Sequence, residues 1–250
     1  MPFKTIAAAF EESQGVSRRT FLKLTSGAAM AGVFGAGMSA NVVYADALGK
    51  EKRDKMTADE ILAAFKRGNK NFSKGLKTSR NYISEQKASA KGQYPSAIIL
   101  SCIDSRAPAE VILDLGIGDI FNARVAGNIA NDDILGSMEF ACKLAGAKVV
   151  LVMGHSACGA IKGAIDNAEL GNLTGLLAKI KPAVKATTFK GETSSKNAAY
   201  VDAVATKNVE LTISDIRKKS PVLAELESKG TIKIAGAMYN LETATVSFFS

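Results

Sequence analysis

Ser96-Ala-Ile-Ile-Leu-Ser101 and Lys148-Val-Val-Leu-Val-Met153 are the two stretches on which the fold turns. Each is short, continuous and apolar, with no in-and-out alternation. A strand of that kind is buried on both faces, as in a parallel sheet covered by helices on each side. Asp119 to Ala123, Ile232 to Met238 and Thr243 to Phe249 supply further strands. Between them run helical patterns. Residues 131–145 place Ile134, Leu135, Met138, Phe140, Ala141 and Leu144 at helical spacing before Gly146. Other helices are expected from about Ala157, near 173–186, over 196–218, and over 220–229 with Pro221 at the start. Strands alternating with helices predict an α/β fold, a mostly parallel β-sheet flanked by helices. Asn240-Leu-Glu242 turns the chain into an antiparallel C-terminal edge.

Upstream, Thr57-Ala-Asp-Glu60 is a capping box opening a helix through Ile61, Leu62 and Phe65 toward Phe72. A polar helical stretch follows over about 79–90. These two are expected to form an N-terminal helical arm, 57–90, outside an α/β core, 95–250. Residues 187–197 are polar and read as an exposed loop.

Residues 17–23, Ser-Arg-Arg-Thr-Phe-Leu-Lys, place a twin arginine before a weakly apolar, Gly- and Ala-rich stretch from Leu24 to about Tyr44. This resembles a Tat export signal, with small residues for cleavage at Ala45-Asp46-Ala47. The expected organisation is a signal segment, 1–47, ahead of a folded domain, 48–250. The expected location is extracytoplasmic, in the periplasm or beyond, reached through the Tat translocon. A retained membrane anchor is the alternative. The signal segment holds four basic and three acidic residues, so nearly all of the net charge of +8 belongs to the domain. Basic residues are not interleaved with aromatics, which excludes a nucleic-acid groove.

The chain has three cysteines and one histidine. An odd count does not indicate a complete disulfide framework. Two of the cysteines and the histidine stand at strand ends. Cys102-Ile-Asp104-Ser-Arg106 follows the first strand, and Gly154-His155-Ser-Ala-Cys158-Gly159 follows the second. If those strands are neighbours, Cys102, His155 and Cys158 converge at one edge. Two thiolates and an imidazole suit Zn²⁺, and three protein ligands leave one position open, the mark of a catalytic site. Asp104 is able to close that position. Arg106 is placed to hold Asp104 off it through a bidentate pair. The plain alternative is two buried cysteines and a hydrogen-bonded histidine, which leaves Asp104 and Arg106 without a role. Cys142, on the helix beside Phe140 and Ala141, reads as a buried structural thiol. Ser156 has no triad partners, which excludes a serine-protease arrangement.

The two motifs resemble the Cys-x-Asp-x-Arg and His-x-x-Cys signatures of the β-class carbonic anhydrases, and the likeness runs from roughly Thr57 to Phe249. Gly68-Asn69 with Phe72, Arg124-Val-Ala126-Gly-Asn128 and Gly236-Ala-Met-Tyr239 extend it. The resemblance implies zinc on Cys102, His155 and Cys158, with Asp104 a fourth ligand in a closed state only. It implies Asp104 and Arg106 as the catalytic dyad, and Gln93, Phe121, Ala126 and Phe140 around the substrate. Phe140 stands where many members carry tyrosine. The absence of tryptophan fits the subgroup without the bicarbonate-inhibited pocket. The resemblance also implies a homodimer or higher homo-oligomer, its N-terminal helices embracing the partner and its pocket at the interface.

The expected function is reversible hydration of carbon dioxide to bicarbonate and a proton by zinc-bound hydroxide. Hydrolysis of CS2 or COS on the same site and a non-catalytic zinc-stabilised binding module are the alternatives. With the single histidine committed to metal, the proton must leave by another route.

Overall fold

The computed structural model describes residues 47–249. The expected signal segment therefore lies outside the described residues, apart from Ala47. The described chain opens with helices α1 (Lys50–Lys55), α2 (Ala58–Ser73) and α3 (Tyr82–Ser89). There follow β1 (Ala97–Ser101), a single helical turn α4 (Ala109–Ile112), β2 (Ile120–Arg124), a 3-10 turn at Ala126–Asn128 and α5 (Asp132–Glu139). Then come β3 (Val149–His155), α6 (Gly159–Ile165), α7 (Gly171–Ala178), α8 (Lys181–Ala186), α9 (Ala198–Lys219), α10 (Pro221–Ser228), β4 (Lys233–Tyr239) and β5 (Val246–Phe249).

The strands form one sheet in the order β2-β1-β3-β4-β5. The first four are mutually parallel and β5 is antiparallel to β4, so the α/β class and the antiparallel edge stand as expected. Burial explains the unbroken apolar runs. Ile98, Leu100, Val150, Val152 and Ile234 pack on one side against Met138, Ile216 and Leu223. Ala97, Ile99, Val149, Leu151 and Met153 pack on the other against Ile61, Phe65, Ile112 and Leu113. In the inner strands β1 and β3 every side chain is buried, whichever way it points, as a parallel sheet covered on both faces requires.

Four local expectations need correction. First, α2 is a layer of the core as much as an arm: Ile61 and Phe65 are fully buried beneath it, because its apolar stripe faces the sheet. Its capping box is complete, with the Glu60 N–H donating to Thr57 Oγ1 at 3.2 Å and the Thr57 N–H to Glu60 Oε2 at 2.7 Å. Only α3 lies outward, tied down by Arg80, whose Nη1 is 3.0 Å from the buried Glu85. Second, the helix expected over 173–186 is two. Pro182 sits in the first turn of α8, where its missing N–H is harmless. Third, the helix over 131–145 widens into a π turn at Phe140–Leu144 before the left-handed Gly146. Fourth, β3 runs two residues further than expected, to include His155, and the next helix starts at Gly159 instead of Ala157. Among the described residues, no helix is long and apolar enough to cross a membrane.

Candidate metal centre

Because β1 and β3 are parallel neighbours in register, Ser101 beside Met153, their carboxyl ends deliver both motifs to one place. Ligands in open α/β sheets bind at such ends. The ligating atoms of Cys102, His155 and Cys158 all lie within 4.8 Å of one another, and all three residues are buried. The two sulfurs are 4.0 Å apart. Two sulfurs each about 2.3 Å from a tetrahedral zinc are about 3.8 Å apart, so the trio fits that ion with little movement.

The histidine is set for metal as well. Its Nδ1 is 2.9 Å from the Ser156 carbonyl oxygen, which fixes the proton there. Nε2 is buried, faces the sulfurs and has no hydrogen-bond partner among the described residues. A buried nitrogen without a partner is costly unless something electrophilic meets its lone pair.

Electrostatics point the same way. Contact with the Cys158 thiol lowers the pKa of Cys102, and the same contact, together with burial, raises that of Cys158. Of two thiols this close, one ionises at the other's expense, and a divalent cation between them allows both to be thiolates. Backbone N–H groups support each sulfur. Gly127 donates to Cys102 Sγ at 3.4 Å, and the amides of Ala160 and Ile161, in the first turn of α6, aim at Cys158. Burial opposes charge on His155, but the Cys102 sulfur and Asp104 raise its pKa on balance.

Asp104 lies at the mouth of the trio, Oδ2 3.9 Å from His155 Nε2. Arg106 grips it three times: the backbone N–H and Nε donate to Oδ1 at 2.9 and 3.0 Å, and Nη2 donates to Oδ2 at 2.8 Å. The guanidinium contact holds the Asp104 carboxyl well below the usual carboxylate range, so it is an anion at any working pH.

Cys142 is remote from this chemistry. It lies in the core with Leu135, Met138 and Ala147, and burial pushes its thiol up to about 12.

A family model for carbonic anhydrase matches residues 97–246, more than half of the chain. The chain belongs to the carbonic anhydrase family. Carbonic anhydrase 2 of Mycobacterium tuberculosis is 31% identical over 185 residues, a match covering 72% of this chain and 86% of that protein. Carbonic anhydrase of Mycolicibacterium smegmatis is 30% identical over 189 residues, covering 75% and 91%. The fold is that of the β-carbonic anhydrases of known structure. One of two tetrameric enzymes from Sordaria macrospora superposes with a TM-score of 0.57 at 24% identity, over 77% of this chain and 93% of that one. The Coccomyxa enzyme bound to acetazolamide gives 0.59 at 20%, over 78% and 86%.

The remaining sequence candidates are not all brought to this centre. Ala126 is, through the 3-10 turn whose next residue, Gly127, donates to Cys102. Phe121 and Phe140 pair edge to face, ring centroids 6.1 Å apart, and line an open surface cavity with Ile98, Ile134 and Arg124. Phe121 is in register with Ile98, four residues before Cys102. Gln93 is exposed on the loop before β1, at the opposite end of that strand from Cys102.

One carbonic anhydrase residue whose role the sequence did not disclose is Arg124. Its Nε donates to the Cys102 carbonyl at 2.9 Å and its Nη2 to the Asp104 carbonyl at 2.6 Å, tying down the loop that carries ligand and dyad. Its position in the Arg124-Val-Ala-Gly-Asn128 segment was the only signal.

Proposed function

We propose that this protein catalyses the reversible hydration of carbon dioxide, with zinc held by Cys102, His155 and Cys158 and with Asp104 and Arg106 as the dyad at the open position. Three convergent ligand atoms, one of them a buried Nε2 with no hydrogen-bond partner among the described residues, carry this function. When bound there, zinc supplies Lewis acidity, bringing a water in its open position to a pKa of about 7.

The chain's own residues do the rest. Arg106 engages both oxygens of Asp104, so the carboxylate would compete poorly for a metal held by the trio. Asp104 keeps its remaining lone pairs as an anionic acceptor over the trio and orients the attacking group toward carbon dioxide. His155 donates through Nδ1 to Ser156 and offers Nε2 to zinc, so it has no capacity left to shuttle a proton. The proton therefore leaves through a carboxylate, a tyrosine, water or buffer.

The substrate wall is completed by a second copy of the chain. The five residues of β1 alone separate Gln93 from Cys102 by about 16 Å. Gln93, Phe121 and Phe140 therefore reach a metal centre only if it belongs to a partner protomer, in a homodimer or larger homo-oligomer. Residues 1–47 are proposed to send the folded, metal-loaded protein through the Tat translocon to an extracytoplasmic compartment, on the strength of Arg18-Arg19 and the apolar stretch that follows.

The decisive experiment is a carbon dioxide hydration assay on metal-quantified protein lacking residues 1–47, from neutral to alkaline pH. One zinc per chain with activity supports the proposal. Zinc without activity indicates a binding module, and turnover of CS2 or COS alone moves the substrate. Cell fractionation of the full chain and of an Arg18→Lys, Arg19→Lys variant tests export.

A further inference from the structure

The turn that carries Cys158 follows β3 and the turn that supports Cys102 follows β2, yet both are fastened to one helix. The backbone N–H of Ala157, in the turn between His155 and Cys158, donates to Asp202 Oδ1 on α9 at 3.0 Å, across 45 residues of sequence. Ala157 has a φ of +54° without being glycine. That conformation crowds a Cβ and persists only where the surroundings hold it. On its other side the turn is pinned through Ser156, whose N–H donates to the Tyr239 carbonyl and whose Oγ accepts from the Leu241 N–H, both at 2.9 Å.

Six residues along the same helix, Asn208 is 3% exposed and donates from Nδ2 to the Gly127 carbonyl at 2.7 Å. Gly127 is the residue whose N–H supports Cys102 Sγ. It too is left-handed, at φ +70°, and a Cβ there would come within 2.5 Å of Ile180 Cδ1, so no side chain fits at that position. Val204 and Ala205 between the two contacts, and Val209 just beyond them, bury α9 in the core against β3. Neither polar side chain is bonded to a ligand atom: Asp202 bonds the turn between His155 and Cys158, and Asn208 reaches Cys102 only through the Gly127 peptide.

We propose that α9 sets the spacing of the metal ligands, with Asp202 and Asn208 as positioning residues. Asp202 fixes the His155–Cys158 turn, and Asn208 fixes the peptide that supports Cys102. The inference rests on the zinc site proposed above. Groups behind metal ligands typically change metal affinity by about 10- to 100-fold when removed.

The test measures zinc affinity by chelator competition and ligand geometry by the visible spectrum of the cobalt-substituted protein. Asp202→Ala is expected to weaken zinc about 10- to 100-fold and to shift the cobalt bands. Asp202→Asn keeps an acceptor oxygen at the same reach and should restore both. Asn208→Ala should weaken zinc by about tenfold. Thr212→Val, one turn further along α9 and bonded to neither loop, should change neither readout. In an Ala157→Gly background, Asp202→Ala should cost less, because glycine takes the left-handed turn without help. That comparison keeps the test decisive if Asp202→Ala alone folds poorly. Parent affinity and spectrum in Asp202→Ala, or a loss that Asp202→Asn does not restore, overturns the inference. A parent protein without stoichiometric zinc removes the metal centre itself, whereas a zinc-loaded parent with indistinguishable variants removes only the role of α9.

Discussion

Cys102, His155 and Cys158, at the carboxyl ends of β1 and β3, are each at most 5% exposed, whereas Phe140, at the β2 edge, is 51% exposed. The first group is held on every side by its own chain. Arg124 grips its loop from β2, Gly127 donates to one sulfur, the first turn of α6 faces the other, and Arg106 fixes the carboxylate above. The second group leans on a single aromatic neighbour and opens to solvent. On the proposed reading, one protomer builds the whole metal corner and only part of the substrate wall. A metal ligand tolerates little displacement, so the groups around it must hold it rigidly. An apolar wall only has to exclude water, and a second copy can supply it.

The sharpest way to break this contrast is to remove a ligand. Cys158→Ser should lose stoichiometric zinc and reduce carbon dioxide hydration to background, because a buried thiolate is replaced by a poor ligand. Metal analysis and initial rates on the same sample check it; an active, zinc-loaded variant would dissolve the trio. Asp104→Asn should be the next largest effect. It should keep zinc and lose on the order of a hundredfold in turnover, the usual scale for a positioned acid–base or electrostatic group. Loss of zinc in this variant would make Asp104 a structural ligand instead.

The partner-built wall is tested by complementation. Phe140→Ala should retain zinc and lose about tenfold in kcat/KM, as expected when a pocket loses an apolar side chain of this size. Mixing it with Cys158→Ser under conditions that exchange protomers should restore activity above the sum of the two. In a mixed pair, one site has intact ligands from one chain and an intact wall from the other. Strict additivity in a sample that has exchanged would place the whole pocket within one chain. A smaller effect is expected from buffer. With the only histidine committed to metal, turnover should rise several-fold from dilute to concentrated buffer, and full activity at vanishing buffer would expose an internal shuttle.

The same contrast governs how much the sequence discloses. Apolar runs such as Lys148–Met153 report burial directly, so the strands, their parallel packing and the two motifs at their ends were legible. The capping box at Thr57 announced α2 for the same reason: its signal is local. What stayed hidden is long-range polar contact. Nothing around Asp202 or Asn208 marks them, since their partners, Ala157 and Gly127, lie 45 and 81 residues away and contribute only backbone atoms. Ala157 itself reads as a helix former, and only the contacts pinning its turn hold it left-handed. Gln93, Phe121 and Phe140 were named from family likeness, and no property of one chain's sequence says that a residue serves another copy.

The smallest expected effect concerns the third cysteine, and it sharpens the boundary of the metal corner. Cys142 is 5% exposed, no less buried than Cys102, so burial alone does not separate a ligand from a packing residue. Their surroundings do. Cys102 meets a second sulfur, an imidazole and an amide, all of which favour thiolate. Cys142 meets only apolar groups, and with its pKa near 12 it remains a neutral thiol at any pH where the protein works. Cys142→Ala should therefore leave zinc content and turnover unchanged and cost about 1 kcal/mol of stability for the lost packing of one atom. Denaturant midpoints alongside metal analysis measure both. A loss of zinc in Cys142→Ala would mean that the core beneath α5 reaches the ligands, and that the corner is less self-contained than its contacts imply.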